Sequence, residues 1–132
     1  MDVGALPPTL IRLKLYKCRQ LRKIEGICNL IKLKKLNIRK CIEVEELPSL
    51  ERLISLEKLS ADECSKLKRL KGLGQLTALR ILSVSFCKAL EGLASVDNLR
   101  ALEKLNVVGC HQLQWGEGAV EQLRQRLKFF HL

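Results

Sequence analysis

Aromatic residues make up only 4% of this 132-residue chain, with one Trp, one Tyr and three Phe, and histidine occurs twice. So few aromatics argue against the stacked platform by which single-strand binders hold nucleobases. The two histidines, His111 and His131, leave little for general acid–base work. His111 follows Cys110, but neighbours on a strand point to opposite faces, which speaks against a nucleophile–base pair. Gly72-Leu73-Gly74 is too short for a phosphate-cradling loop, and no close CxxC pair suggests zinc. Glu45-Glu46 and Asp62-Glu63 belong to an acidic middle rather than to a pocket. No catalytic residue, cofactor or metal is therefore expected. No run approaches the roughly 18 apolar residues of a membrane-spanning helix. The opening Met1 to Pro8 lacks the basic and apolar segments of a secretory signal. The expectation is a soluble protein of the cytoplasm or nucleus, not secreted and not bound to a membrane.

What the chain has instead is leucine, at 28 of 132 positions, and a strict period. Five of the six cysteines, Cys18, Cys41, Cys64, Cys87 and Cys110, are spaced by 23 residues. In rows of 23, Leu10, Leu33, Leu56, Leu79 and Leu102 share a column, and Leu13, Leu36, Leu59, Leu82 and Leu105 share another. Leu15, Ile38, Ala61, Val84 and Val107 form the next, and beyond each cysteine apolar residues continue at every third position. The unit LxxLxLxxCxxLxxLxxLxxLxx has the opening and length of a leucine-rich repeat.

Apolar residues two apart leave one face of a short strand. A spacing of three suits tight turns and 3₁₀ segments rather than an α-helix. The predicted fold is an α/β repeat solenoid, a leucine-rich-repeat horseshoe with short parallel strands on the concave face and mostly irregular or 3₁₀ convex segments. Residues 1–132 form one domain, with strands near 11–17, 34–40, 57–63, 80–86 and 103–109 and a degenerate C-terminal repeat or cap over 111–132. The cysteine column reads as a structural ladder of small buried side chains with weak S–H donors. Stacked thiols pointing one way are poorly placed for disulfides, and reduced thiols fit a cytosolic or nuclear compartment. Cys28 lies outside the ladder and is the thiol expected to react most readily.

LxxLxLxxC near a period of 23, with Leu47-Pro48-Ser49-Leu50, Leu56-Glu57-Lys58-Leu59, Leu102-Glu103-Lys104-Leu105-Asn106-Val107 and Gly109-Cys110, resembles the C-terminal leucine-rich-repeat region of plant intracellular nucleotide-binding immune receptors. Receptors with an N-terminal TIR domain are the most similar group. The resemblance covers nearly the whole chain. It implies a protein-binding role in plant defence: recognising a pathogen effector and restraining the receptor's own nucleotide-binding module. The alternatives are a stand-alone scaffold or adaptor, and an anion or nucleic-acid binder using the basic N-terminal repeats.

Charge is uneven: residues 1–40 carry a net +9, residues 41–65 a net −5 and residues 66–132 a net +6. Equivalent residues of adjacent repeats lie about 4.8 Å apart, so columns read as contacts. Arg22, Glu45, Lys68 and Glu91 alternate in sign, as do Lys23, Glu46 and Arg69, and Lys34, Glu57, Arg80 and Glu103. These read as solvated ion-pair ladders. Arg12, Lys35, Lys58 and Lys104 break the rule, with Ile81 between them, and like charges side by side invite an anionic partner. The residues assigned to partner binding on the concave face are Arg12, Lys14, Tyr16, Lys35, Arg39, Lys58, Asp62 and Phe86. At the start, Leu10, Leu13 and Leu15 follow only nine residues that include Pro7 and Pro8, a weak cap. This suggests a piece of a longer solenoid, or an open end that packs on a partner or a second copy. At the other end, Val120, Leu123 and Leu127 have helical spacing. Leu127, Phe129 and Leu132 follow Leu105, Val107 and Cys110 by 22 residues, which predicts a sixth strand with Trp115 and Phe130 packing beside it.

Overall fold

A computed structural model describes residues 1–132. Six parallel strands, β1 (Arg12–Lys14), β2 (Lys35–Asn37), β3 (Lys58–Ser60), β4 (Ile81–Ser83), β5 (Lys104–Asn106) and β6 (Phe129–His131), form one sheet in sequence order. Each hydrogen-bonded strand is three residues long, narrower than the seven-residue spans of the pattern. The central leucines stack in register, Leu13 on Leu36, Leu59, Leu82 and Leu105. Together with the leucines of the return segments they form one continuous core, from Val3 to Leu127.

The chain leaves each strand through a residue in the left-handed region, Lys17 (φ 59°), Lys40 (61°), Glu63 (61°), Phe86 (57°) and Gly109 (75°). The amide of Lys17 bonds to the Arg39 carbonyl at 2.9 Å, that of Lys40 to Asp62 at 2.9 Å and that of Phe86 to Val108 at 2.6 Å. The turn thereby stays in register while the next residue, the cysteine, enters the core. Only the last member of the column is glycine, and the ring of Phe86 lies across it where a side chain would stand.

A second column of left-handed residues opens the return segments. Gly26, Gly72 and Ser95 precede the one-turn 3₁₀ segments Ile27–Asn29, Leu73–Gln75 and Val96–Asn98. Gly118 precedes the single helix α1 (Ala119–Arg126). The repeat carrying Pro48-Ser49 lacks both the left-handed residue and the 3₁₀ turn. Short parallel bridges, Asp2 with Glu25, Glu46 with Arg69 and Gly92 with Gln114, link successive return segments.

The two ends differ from the expected pattern. β6 pairs Leu105 with Phe130, so the final offset is 25 residues, not 22, and Leu127 closes α1 instead of lying in the strand. An α-helix advances less per residue than a 3₁₀ or irregular segment, so a return path containing α1 needs more residues to reach the sheet. Phe130 meets Trp115 edge-on with ring centres 5.9 Å apart. At the N-terminal side, Val3 is buried, its amide bonds to the Glu25 carbonyl at 2.8 Å, and the Glu25 amide bonds to Met1 at 2.7 Å. This covers the return side alone. Leu10, Leu13, Leu15, Cys18 and Leu21 pack against the core but remain half-buried.

A methyl group on Gly72 would stand 2.6 Å from the Glu51 backbone nitrogen, in a conformation that already disfavours a side chain. Gly72→Ala is therefore expected to lower the unfolding free energy by roughly 2 kcal/mol. Ser95→Gly, at an exposed left-handed position whose hydroxyl makes no capping bond, should raise it by about 0.5 kcal/mol. Urea denaturation of the two variants beside the parent chain checks both signs.

Candidate functional site

The cysteine ladder sets the floor beneath the sheet face. The thiols of Cys41, Cys64, Cys87 and Cys110 donate to the carbonyls of Leu15 (2.7 Å), Ile38 (3.0 Å), Ala61 (3.0 Å) and Val84 (2.9 Å) in the preceding repeat. Ile38, Ala61 and Val84 also accept the amide of the cysteine in their own repeat. All six cysteines are free thiols. Burial raises the titration points of all four donors, that of Cys64 to about 12. The Cys110 proton points into the core while His111 is exposed, so the two do not form a nucleophile–base pair. Cys28 is half-buried, with Asn29 Oδ1 4.0 Å from its sulfur.

Above this floor, the strands place Arg12, Lys35 and Lys58 side by side. Ile81, Lys104 and Phe129 continue the row. All four cations are exposed and none makes an ion pair. Lys104 lies over the Phe129 ring at 4.9 Å. Lys14, Tyr16 and Arg39 come together at the strand ends, with Lys14 Nζ 5.3 Å and the Arg39 guanidinium 5.9 Å from the Tyr16 ring centre. Lys17 and Lys40, outside the shortlist, join them at 5.2 and 5.8 Å. Burial opposes ionisation of the Tyr16 hydroxyl, but the charges of Lys17, Lys40 and Arg39 outweigh it and hold the hydroxyl below the ordinary phenol value.

Asp62 and Phe86 stand apart from that group. One oxygen of Asp62 accepts from the Ser83 hydroxyl (2.6 Å) and from the amide and hydroxyl of Ser85 (both 2.8 Å). The other oxygen faces Arg39 at 3.4 Å. In the repeats with asparagine, Asn37 and Asn106 accept the amide two residues on. Where that position is Ser83, Asp62 reaches across from the neighbouring repeat to serve the equivalent amide. Asp62 is thereby committed to the turn. Phe86 keeps 47% of its surface exposed while its ring rests on Gly109.

The alternating ladders are sparser than the sequence pattern implies. Arg80 pairs with Glu103 at 2.8 Å, and Lys128 reaches the same carboxylate at 2.7 Å. Glu46 turns to Lys71 at 3.6 Å rather than to Lys23 or Arg69, and the Arg22 column makes no pair. Exposed long side chains gain little from any one geometry, and of the alternating columns only Arg80 and Glu103 pair at the repeat spacing, while Arg39 with Asp62, Lys40 with Glu63 and Lys66 with Glu43 do so outside them.

No group of three or more His, Cys, Asp or Glu side chains is placed to hold a metal ion, and no helix is long and apolar enough to cross a membrane. The fold and repeat pattern together are those of a leucine-rich-repeat-like parallel solenoid. No protein-family model and no curated protein matches the chain. Among solved structures, it is similar to an internalin from Listeria monocytogenes at 18% identity, over 92% of this chain and 47% of that one, with a TM-score of 0.39. It is also similar to a leucine-rich-repeat protein from Leptospira interrogans at 17% identity, over 100% of this chain and 58% of that one, with a TM-score of 0.27. The chain spans about half the length of these structures.

The raised titration points have a definite sign. A thiol held protonated in the folded chain stabilises the fold fully below its unfolded value, and that contribution is lost as the pH rises toward the folded value. For Cys64 the window runs from 9.0 to about 12. Urea midpoints are expected to stay level from neutrality to pH 9.0 and to fall above it. Cys64→Ser retains a donor to Ile38 without a titrating thiol and should make the fall shallower. An unchanged slope would show that titration of Cys64 does not contribute to the alkaline loss of stability.

Proposed function

We propose that the chain is a protein-recognition module that holds an acidic stretch of its partner along the exposed face of β1, β2 and β3. The row Arg12, Lys35 and Lys58 carries this reading, because three unpaired cations lie in register on neighbouring strands. Their mutual repulsion is relieved by an anionic ligand. Tyr16 and Arg39 at the row's edge are residue types that anchor protein interfaces. Lys14 adds charge beside them, and Phe86 offers an apolar margin. Asp62 contributes indirectly, by orienting Arg39.

A finer reading makes the module the effector-sensing and autoinhibitory part of a plant immune receptor. It is supported by the likeness of LxxLxLxxC and Leu47-Pro48-Ser49-Leu50 to that group's repeats. A stand-alone adaptor would use the same surface in the same way. The excess of positive charge also attracts nucleic acid without regard to sequence, but the face offers only three exposed rings, Tyr16, Phe86 and Phe129.

The test is fluorescence anisotropy with a labelled glutamate-rich peptide and a single-stranded oligonucleotide of equal charge. The peptide should bind, and Lys35→Glu with Lys58→Glu should weaken it at least about tenfold while leaving the urea midpoint unchanged, as loss of interfacial charge complementarity does. Unchanged affinity in the variant would overturn the reading. So would tighter binding of the oligonucleotide with a steep salt dependence.

A further inference from the structure

The chemistry of the anchoring anion can be narrowed at Tyr16. Between Val3 and Ile24 the chain has no acidic residue, while Arg12, Lys14, Lys17, Arg19, Arg22 and Lys23 are basic. Two of these cations and two from the next repeat converge on one phenol ring, all within 5.9 Å of its centre. The repeat fold imposes this convergence. The period of 23 sets Arg39 beside Tyr16 and Lys40 beside Lys17, and the bond from the Lys17 amide to the Arg39 carbonyl locks that register. Both lysines leave from left-handed turns, which fixes where their side chains begin.

The charges in this group are unequally compensated. Arg39 is held at 3.4 Å by Asp62, and Lys40 at 3.6 Å by Glu63, both from the side of the third repeat. Lys14 and Lys17 have no carboxylate. A ring face attracts a cation placed over it, but four cations around one ring repel one another, and no acid of the first repeat intervenes.

We propose that this cage binds a phosphorylated side chain of the partner, its phosphate lying among Lys14, Lys17, Arg39 and Lys40 and accepting a hydrogen bond from the Tyr16 hydroxyl. The inference rests on the protein-recognition reading above and adds the chemistry of its anchor. A phosphomonoester carries nearly two charges and three acceptor oxygens, enough to engage an arginine fork and several ammonium groups at once. A glutamate offers one charge and two oxygens, and leaves most of the cage unanswered. A nucleic-acid phosphodiester also brings only one charge per group, less than a phosphomonoester carries.

The chain has a single tyrosine, so phenolate absorbance reports on the cage alone. The surrounding cations hold Tyr16 below the ordinary phenol value, and a bound dianion should return it upward. The experiment compares three labelled peptides that differ at one position, phosphoserine, glutamate or serine, on a shared acidic background, with the oligonucleotide as a fourth probe. The phosphopeptide is expected to bind about tenfold tighter than the glutamate peptide, through charge-assisted bonds to the cage. It should also shift the Tyr16 titration to higher pH. Lys17→Gly with Lys40→Gly, the glycines preserving both left-handed turns, should remove most of that advantage and leave the glutamate peptide's affinity within about twofold, since its contacts lie on the strand row.

Equal binding of phosphoserine and glutamate peptides, or a Tyr16 titration that the phosphopeptide does not move, would overturn the phosphate cage. If both peptides still lose affinity with Lys35→Glu and Lys58→Glu, the acidic-partner reading survives that result. Failure of every peptide to bind overturns both, as does preference for the oligonucleotide.

Discussion

A buried carbonyl without a donor is among the costlier defects a fold can carry, and this solenoid turns a carbonyl into its core at the end of almost every strand, where only the chain itself can supply the donor. The chain must turn inward there, at Ile38, Ala61 and Val84, where the backbone is enclosed by the core. Each oxygen receives the cysteine amide of its own repeat and the thiol of the next. The second donor crosses between repeats, so it fixes their register as well as satisfying the group. A thiol is small enough to lie flat in the stack, and its acidity is suppressed by the same burial that makes it necessary. The parallel sheet, the left-handed exit turns and the alignment of surface columns all presuppose this arrangement.

The outer face inherits its order from the inner one. With leucine on leucine at every strand, a residue's neighbours on the surface are those 23 positions away, and their chemistry is free to vary. This chain uses the freedom unevenly. The first two repeats collect cations around one tyrosine, while the third supplies carboxylates that partly answer them. The fourth carries serines that lock Asp62 into a turn.

Much of the architecture was legible in the leucine and cysteine columns, because burial there leaves few acceptable residue types. Elsewhere the sequence spoke less clearly. The left-handed exit column contains Lys17, Lys40, Glu63 and Phe86 and declares itself only at Gly109, since lysine and glutamate carry no signature of that conformation. The register of β6 depended on how many residues a helix consumes, which apolar spacing alone does not reveal. Among the proposed binding residues, the cationic row followed directly from the period. The role of Asp62 did not, because its partners Ser83 and Ser85 lie in a different repeat and are unremarkable by composition. Lys17 and Lys40 stand among the concave positions beside Tyr16 in the sequence pattern as well, but only the structure brings their charges onto its ring.

The alternation of positive, negative and positive blocks along the chain has a kinetic meaning. A cleft or stripe of one sign draws an oppositely charged ligand from beyond contact range. Here the net +9 of residues 1–40 is followed by the net −5 of residues 41–65, so the anionic segment of the proposed complex is drawn first to the face of the N-terminal repeats. Its orientation is selected before short-range contacts form. In the proposed complex, association quickens as ionic strength falls, whereas its lifetime is set by the close contacts around Tyr16. Speed of encounter in that proposed complex is separated from duration of hold, the first falling to the charge blocks and the second to a few side chains at a single pair of repeats.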